Sequence, residues 1–130
     1  MKRILIVDDE QFLLQGLSNA LRSPSTEIAA VETGASALAE IAASHYDICF
    51  LDIYLPDTGG IEVMKRIRKI SPHTKVIMMT AGIVSSSMQR CIEKNAYMFL
   101  TKPFELLQIK MLVNNVLEQA GHTAALACPQ

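Results

Sequence analysis

Four short apolar runs in this chain each end in polar side chains that could do chemistry. Asp8 and Asp9 follow the first run, Asp52 the second, Thr80 the third and Lys102 the fourth. Parallel sheets collect the carboxyl ends of their strands at one edge, and ligands bind at that edge. We therefore expect three carboxylates, a hydroxyl and an ammonium to converge in one pocket.

The three carboxylates would raise each other's pKa values unless a cation lay between them. A few carboxylate oxygens, with the remaining positions left to water and phosphate, are typical of Mg2+ sites that handle phosphoryl groups. Asp52 is the candidate nucleophile for an acyl phosphate, and Lys102 and Thr80 could each bind a phosphoryl oxygen. Taken alone, Asp8 or Asp9 could equally well cap the next helix. A lone Thr80 or Lys102 would be interpreted as structural, so the shared edge carries the prediction.

Composition limits the classes of protein that fit. The chain has 130 residues, 19% of them charged, and a formal net charge of -1, which suits one domain and disfavours disorder or a broad nucleic-acid footprint. Cys49, Cys91 and Cys128 form no close pair or CxxC motif, which favours a reducing compartment. No apolar stretch approaches the roughly 20 residues that span a bilayer, and the start lacks a signal-peptide pattern. We predict a cytoplasmic protein that binds neither membranes nor, through this chain, nucleic acid.

The apolar runs alternate with segments of helical periodicity, which indicates strand and helix units around a parallel sheet. The predicted strands are Arg3 to Val7, Glu27 to Val31, Asp47 to Leu51, Lys75 to Met79 and Tyr97 to Leu100. The predicted helices are about Gln11 to Arg22, Ser36 to Ser44, Ile61 to Ile70, a segment capped among Ser85 to Ser87 that ends at Lys94, and Glu105 to Gln119. We predict one domain over residues 1–120, followed by a flexible tail or the start of a linker over residues 121–130.

Four segments in order carry a close resemblance to the receiver domain of bacterial two-component response regulators. They are ILIVDDE at 4–10, FLDIYLPDTGGIEV at 50–63, VIMMTAG at 76–82 and NAYMFLTKPF at 95–104. The match covers about Lys2 to Gln119. It implies a doubly wound, flavodoxin-like or CheY-like α/β fold, with five parallel strands in the order 2-1-3-4-5. It also implies that a sensor histidine kinase or a phosphotransfer protein donates a phosphoryl group to this domain.

The resemblance assigns a role to each residue of the predicted pocket. It implies that Asp52 is the phosphoacceptor. It also implies that Asp8, Asp9 and Asp52 bind Mg2+, with the main-chain carbonyl of Tyr54 as a further ligand. Lys102 matches the lysine that binds the phosphoryl group.

The resemblance further implies a conformational switch. Phosphorylation would pull the hydroxyl of Thr80 inward, and the ring of Phe99 would turn into the vacated space. These movements would shift a two-state equilibrium in the fourth helix, the fifth strand and the fifth helix. A cis peptide bond before Pro103 would turn the ammonium of Lys102 back into the pocket.

The last predicted helix has more apolar residues than a core face requires. Leu107 and Met111 lie to one side of that face, so we expect both to be partly exposed. In the resembled family this surface mediates dimerisation or output-domain contacts, and we hypothesise a modest interaction site here. The predicted core face consists of Leu106, Ile109, Val113, Val116 and Leu117.

Three other functions fit the sequence less well than a receiver. An aspartyl phosphatase of the haloacid dehalogenase class looks for a second Asp two residues beyond its nucleophile as general acid, and this chain has Tyr54 there. A flavin carrier of similar fold would place a phosphate against the acidic first loop, which would repel it. A pseudo-receiver that is never phosphorylated usually lacks part of the site, whereas all five positions are present.

We therefore predict a signalling phosphoacceptor with slow autodephosphorylation, and no enzyme that acts on external substrates. The ten residues after Ala120 are too few for an output domain. On the sequence alone, we expect either a stand-alone receiver or one excised from a longer chain.

Overall fold

The computed structural model describes residues 1–120, and the tail predicted over residues 121–130 lies outside the described residues. Strands and helices alternate along the described chain. The strands are β1 (Lys2–Val7), β2 (Thr26–Val31), β3 (Ile48–Asp52), β4 (Lys75–Thr80) and β5 (Met98–Thr101), and the helices are α1 (Gln11–Leu21), α2 (Gly34–Ala43), α3 (Gly60–Ile70), α4 (Ser86–Asn95) and α5 (Leu106–Ala120). All strand pairs are parallel, in the order β2-β1-β3-β4-β5. The predicted fold class and strand order are confirmed.

Some element boundaries differ from the predicted ones. Asp52 and Thr80 are the last residues of β3 and β4 rather than the first residues after them, because strand pairing continues through both positions. Helix α2 begins at Gly34, two residues earlier than predicted. The hydroxyl of Thr33 explains this early start, since it accepts a hydrogen bond from the Ser36 N–H at 3.1 Å and caps the first turn.

Both faces of the sheet are covered, which accounts for the almost uninterrupted apolar character of the central strands. Side chains of β1 alternate between two cores: Leu5 and Val7 pack under α2, α3 and α4, whereas Ile4 and Ile6 pack under α1 and α5. The chain leaves β1 toward β2 on one side and returns to β3 on the other. The carboxyl ends of β1 and β3 therefore meet at the point where the strand order reverses, which is where such sheets bind ligands.

Helix α5 confirms one prediction and corrects another. Leu107 is 67% exposed and Met111 is 59% exposed, as expected. Leu106 was predicted to lie in the core, and that prediction is wrong, because the side chain is 41% exposed. Leu106 opens the helix at the margin of the core, where its Cδ1 lies 3.8 Å from the position of an added Cβ at Gly16. Neither α5 nor another helix within residues 1–120 is long and apolar enough to cross a membrane.

Candidate functional site

Three carboxylates meet at the carboxyl edge of the sheet. Val7 pairs with Leu51 across β1 and β3, so the residues that follow them, Asp8 and Asp52, emerge side by side. Asp9 contributes a third carboxylate, and ligand oxygens of the three side chains lie within 4.8 Å of one another. Asp8 and Asp52 are buried, whereas Asp9 is exposed. The cluster therefore has a buried floor and one side open to solvent.

The ammonium of Lys102 joins this cluster from the end of β5. Its Nζ lies 2.6 Å from Asp8 Oδ2, 3.3 Å from Asp52 Oδ2 and 3.0 Å from Glu10 Oε1. The peptide bond between Lys102 and Pro103 is cis. Glu10, which extends the acidic run after Asp8 and Asp9, was not among the predicted site residues. Lys102 thus donates hydrogen bonds to both buried carboxylates and to one exposed carboxylate.

The surroundings raise the pKa of Asp52 and also that of Lys102, but for different reasons. Burial and the neighbouring charge of Asp8 raise the pKa of Asp52 above its ordinary value, although Lys102 and a backbone hydrogen bond partly offset them. Burial alone would lower the pKa of Lys102, but hydrogen bonds to Asp8 and Glu10 and the charge of Asp52 raise it overall. Lys102 therefore stays charged at neutral pH, and the ionised form of Asp52 would gain from a further cation.

The donor set fits a hard divalent cation. Asp8, Asp9 and Asp52 with the ammonium of Lys102 carry a formal charge of -2 in one small region. Magnesium prefers a few carboxylate oxygens and leaves its remaining positions to water and phosphate. The residues present are therefore of the kind and charge that Mg2+ requires.

The loop between β3 and α3 is held against Asp52 by the residue predicted to supply a carbonyl ligand. The N–H of Tyr54 donates a hydrogen bond to Asp52 Oδ1 at 3.2 Å. The phenolic oxygen of Tyr54 donates to the carbonyl of Ile83 at 3.1 Å, which ties this loop to the one after β4. One oxygen of Asp52 is thereby fixed by the backbone, while the other lies beside Lys102.

Gly60 allows the same loop to approach the strand end very closely. Its N–H donates to the carbonyl of Ile53 at 2.6 Å. A Cβ at Gly60 would lie 2.1 Å from the main-chain oxygen of Asp52. No glycine in the described chain has a positive φ. At Gly60 the requirement is space rather than a left-handed backbone.

Asp57 anchors the far side of the loop to α2. Its two carboxylate oxygens accept hydrogen bonds from the N–H groups of Gly34 at 2.8 Å and Ala35 at 3.0 Å. These backbone bonds lower the pKa of Asp57 below its ordinary value. A carboxylate at a helix N-terminus also interacts favourably with the helix dipole. The partners of Asp57 lie more than 20 positions away in sequence, so no local motif predicts this contact.

We expect Asp57→Ala to slow phosphorylation of the domain by about 3-fold to 10-fold, because a loop released from α2 no longer holds Tyr54 and Asp52 in position. The rate of modification by acetyl phosphate in Mg2+ measures this effect. Glu62→Ala removes the same charge from an exposed position on α3, where its partner is Arg66, and should leave the rate unchanged. Equal rates for all three proteins would show that Asp57 does not position the loop.

The two predicted switch residues lie on one face of the neighbouring strands. Thr80 is buried, and its hydroxyl accepts a hydrogen bond from the Gly82 N–H at 3.1 Å. Thr80 pairs with Thr101, and Met78 pairs with Phe99, so Phe99 shares the sheet face of Thr80. Phe99 is only partly buried against the core under α2, α3 and α4. The structure thus brings the three carboxylates and Lys102 together. Thr80 lies at the end of β4, and Phe99 lies on the same face of the sheet in β5.

Comparison with known proteins gives a consistent match along the described chain. The family model of the response regulator receiver domain matches residues 4–120. The chain is 32% identical over 118 residues to the regulatory protein AtoC of Escherichia coli, and covers 26% of that protein with 91% of its own length. It is also 32% identical over 133 residues to the hybrid signal transduction histidine kinase L of Dictyostelium discoideum, with 96% of the chain matching 8% of that protein.

A solved structure agrees with these matches. The response regulator protein TrrA of Thermotoga maritima, crystallised in complex with Mg2+ and BeF, is 34% identical to the chain and superposes with a TM-score of 0.77. The match covers 89% of this chain and 99% of TrrA. By contrast, the chain spans only 26% and 8% of the two curated relatives named above, so their other activities and partners do not follow from the match.

Proposed function

The chain belongs to the family of response regulator receiver domains of two-component signalling, and from this premise we propose that Asp52 accepts a phosphoryl group from a histidine kinase or a phosphotransfer protein. The position of Asp52 is the observation that supports this most directly. One of its oxygens is fixed by the Tyr54 N–H, and the other lies 3.3 Å from the Lys102 ammonium. This is the arrangement that a carboxylate nucleophile needs when the incoming group is an anion.

In the proposed transfer, an Asp52 oxygen forms a bond to phosphorus while the bond from phosphorus to the donor's histidine nitrogen breaks. The electron pair of the broken bond stays on the imidazole. Lys102 binds a phosphoryl oxygen and offsets its charge through a charge-assisted hydrogen bond. Asp8, Asp9, Asp52 and the Tyr54 carbonyl would hold Mg2+, which when bound supplies a Lewis acid for the phosphoryl oxygens.

The phosphorylated state is then read by the residues behind the pocket. A phosphoryl group adds a charge of about -1.5 to -2 and three strong acceptor oxygens. The Thr80 hydroxyl accepts from the Gly82 N–H, which leaves its own hydrogen to donate to such an oxygen. Movement of Thr80 opens space on the sheet face that it shares with Phe99. We propose that Phe99 turns into this space and shifts the packing of α4, β5 and α5.

We also infer that the domain is a phosphoacceptor with slow autodephosphorylation rather than an enzyme that acts on external substrates. A haloacid dehalogenase phosphatase would need an acid two residues after Asp52, and Tyr54 stands there with its hydroxyl donating to Ile83. The matched family gives the phosphatase alternative no support. A pseudo-receiver is disfavoured because the carboxylates and Lys102 all meet at one site.

Phosphorylation by a small donor tests this function. The protein is incubated with acetyl phosphate in Mg2+ or in EDTA, and the intact mass is measured over time. We expect addition of one phosphoryl group in Mg2+ and almost none in EDTA. Equal modification with and without metal would contradict the proposed site. Sustained hydrolysis of para-nitrophenyl phosphate would instead support the phosphatase.

The exposed apolar side chains of α5 support a further contact in the active state. We propose that Leu107 and Met111, exposed one turn apart, take part in a homodimer or output-domain surface along α4, β5 and α5. We expect Leu107→Glu with Met111→Glu to abolish dimers of the beryllofluoride-treated protein in sedimentation velocity. Gln108→Glu with Asn115→Glu adds the same charge to exposed positions of α5 and should leave dimers intact. A wild-type protein that stays monomeric under these conditions would exclude the homodimer.

A further inference from the structure

A cleft lies at the end of the sheet opposite the acidic site. It has a volume of about 770 Å³ and opens between the start of β4 and the ends of α3 and α4. Its cationic lining consists of Lys2, Arg68, Lys75 and Lys94. A neighbouring hollow of about 590 Å³ shares Arg68 and Asn95 with the cleft. We call these two connected depressions the basic cleft.

Positive charge is concentrated in the basic cleft, although the chain as a whole is nearly neutral. Besides the four cationic residues of the larger part, the hollow adds Lys65, Arg66 and Lys69, so seven of the twelve Lys and Arg residues of the chain line it. Among residues 1–120, two carboxylates line the same surface, those of Asp47 and Glu62. The chain as a whole carries a net charge of -1. The cationic side chains of the basic cleft therefore lie at the end of the sheet opposite the carboxylate cluster.

Both carboxylates of the basic cleft are already engaged. Asp47 accepts from the Arg3 N–H at 2.9 Å and lies 3.2 Å from the His45 Nε2. Glu62 pairs with Arg66 at 3.5 Å. The ion pairs of the described residues leave four lysines of this surface without a partner: Lys2, Lys65, Lys69 and Lys94. The surplus charge is thus available to a partner with several carboxylates.

Part of this charge has a local structural explanation. Arg68 and Lys69 lie in the last turn of α3 and Lys94 in the last turn of α4, where cations offset the negative ends of helix dipoles. That explanation does not extend to Lys2 and Lys75, which begin strands β1 and β4. A concave surface lined by one sign of charge also focuses the electrostatic field more strongly than a convex one.

The shape and lining of the basic cleft favour an acidic polypeptide over a nucleic acid. Single-stranded nucleic acids are bound by exposed aromatic rings on which bases stack. Among the described residues, the cleft is lined by one Phe, Tyr or Trp side chain, that of Tyr97, which is partly buried. The Lys75 ammonium lies 5.6 Å from the centroid of its ring. The carboxylate cluster at the other end of the sheet would repel a long polyanion, whereas a short acidic segment would avoid it.

We propose that the basic cleft binds an acidic segment of a partner polypeptide. Carboxylates of the segment pair with the lysines of α3, α4 and the strand starts, and the binding weakens as salt screens these pairs. The interaction does not depend on phosphorylation of Asp52, because the two sites lie at opposite ends of the strands. The acidic site and the basic cleft would therefore let one domain engage two different partners.

A fluorescein-labelled peptide of alternating Asp and Ser residues tests this inference by fluorescence anisotropy. We expect saturable, salt-sensitive binding to the wild-type protein. Lys65→Glu combined with Lys94→Glu should weaken it by about 10-fold or more. Arg90→Glu combined with Lys110→Glu changes the net charge equally at exposed positions outside the basic cleft, and should weaken it by less than about 3-fold.

Three results would overturn the inference. They are an absence of saturable binding, equal weakening by the two double variants, and tighter binding of a single-stranded oligonucleotide that is lost in the cleft variant. Thermal melting of both double variants checks that they fold. Retention of Mg2+-dependent phosphorylation by the cleft variant separates a failure here from a failure of the proposed receiver function.

Discussion

Asp52→Asn is expected to abolish phosphorylation by acetyl phosphate, with a loss of about 100-fold or more in rate. The amide has nearly the same shape as the carboxylate but offers no anionic oxygen to attack phosphorus. In the wild type the Tyr54 N–H and the Lys102 ammonium contact different oxygens of Asp52, and the single amide oxygen of Asn can still accept from one of them. Intact mass after incubation with Mg2+ measures the loss directly.

The same substitution should raise the melting temperature by a few degrees in the absence of Mg2+. Burial and the charge of Asp8 raise the pKa of Asp52 in the folded state, so its ionisation opposes folding at pH values above that pKa. A neutral amide removes this cost. If the variant did not fold, the loss of phosphorylation would be due to unfolding. A folded variant that is still phosphorylated would contradict the role of Asp52 as phosphoacceptor.

Gly60→Ala is expected to lower the free energy of unfolding by about 3 kcal/mol, at the upper end of the usual cost of overpacking. The added Cβ would lie 2.1 Å from the Asp52 main-chain oxygen and 2.7 Å from the Ile53 Cα. Both are backbone atoms, so no side-chain rotation can relieve the contact. The end of β3 must shift, and the phosphoacceptor moves with it. Urea denaturation measures the stability, and we expect phosphorylation to slow in parallel.

Gly59→Ala is the matched control for this effect. No atom lies within 4 Å of the position that its Cβ would take, and its φ of -72° suits any residue. Because Gly59 is the N-cap of α3, replacement by Ala should cost no more than about 1 kcal/mol. If the two variants unfolded at the same urea concentration, close packing of Gly60 on Asp52 would not be important for stability.

The sequence was sufficient to predict the fold and the cluster of charged residues, because both depend on features that repeat along the chain. Alternating apolar runs and helical segments admit few topologies, and the resemblance to a receiver selected the observed strand order. In a parallel sheet, residues at successive strand ends must share an edge. The sequence therefore predicts that Asp8, Asp52 and Lys102 lie close together at that edge.

Features that depend on close approach between distant segments could not be predicted in the same way. Nothing in the sequence around Asp57 shows that its carboxylate meets the first turn of α2. A pair of glycines such as Gly59 and Gly60 is typical of a turn, whereas the constraint on Gly60 is its close contact with the backbone of β3. Glu10 reaches Lys102 across 92 positions of sequence. Leu106 fitted the apolar pattern of α5, but that pattern does not reveal where the core ends.

The position of the phosphoryl group shows whether Asp52 is the phosphoacceptor. After incubation with acetyl phosphate and Mg2+, the protein is reduced with borohydride, which converts an aspartyl phosphate to homoserine. Tandem mass spectrometry of the peptides then identifies the modified residue. We expect homoserine at position 52 only, and none after incubation in EDTA. Homoserine at another carboxylate, or a phosphoryl group that resists borohydride on a hydroxyl or histidine, would contradict a phosphoaspartyl switch at Asp52.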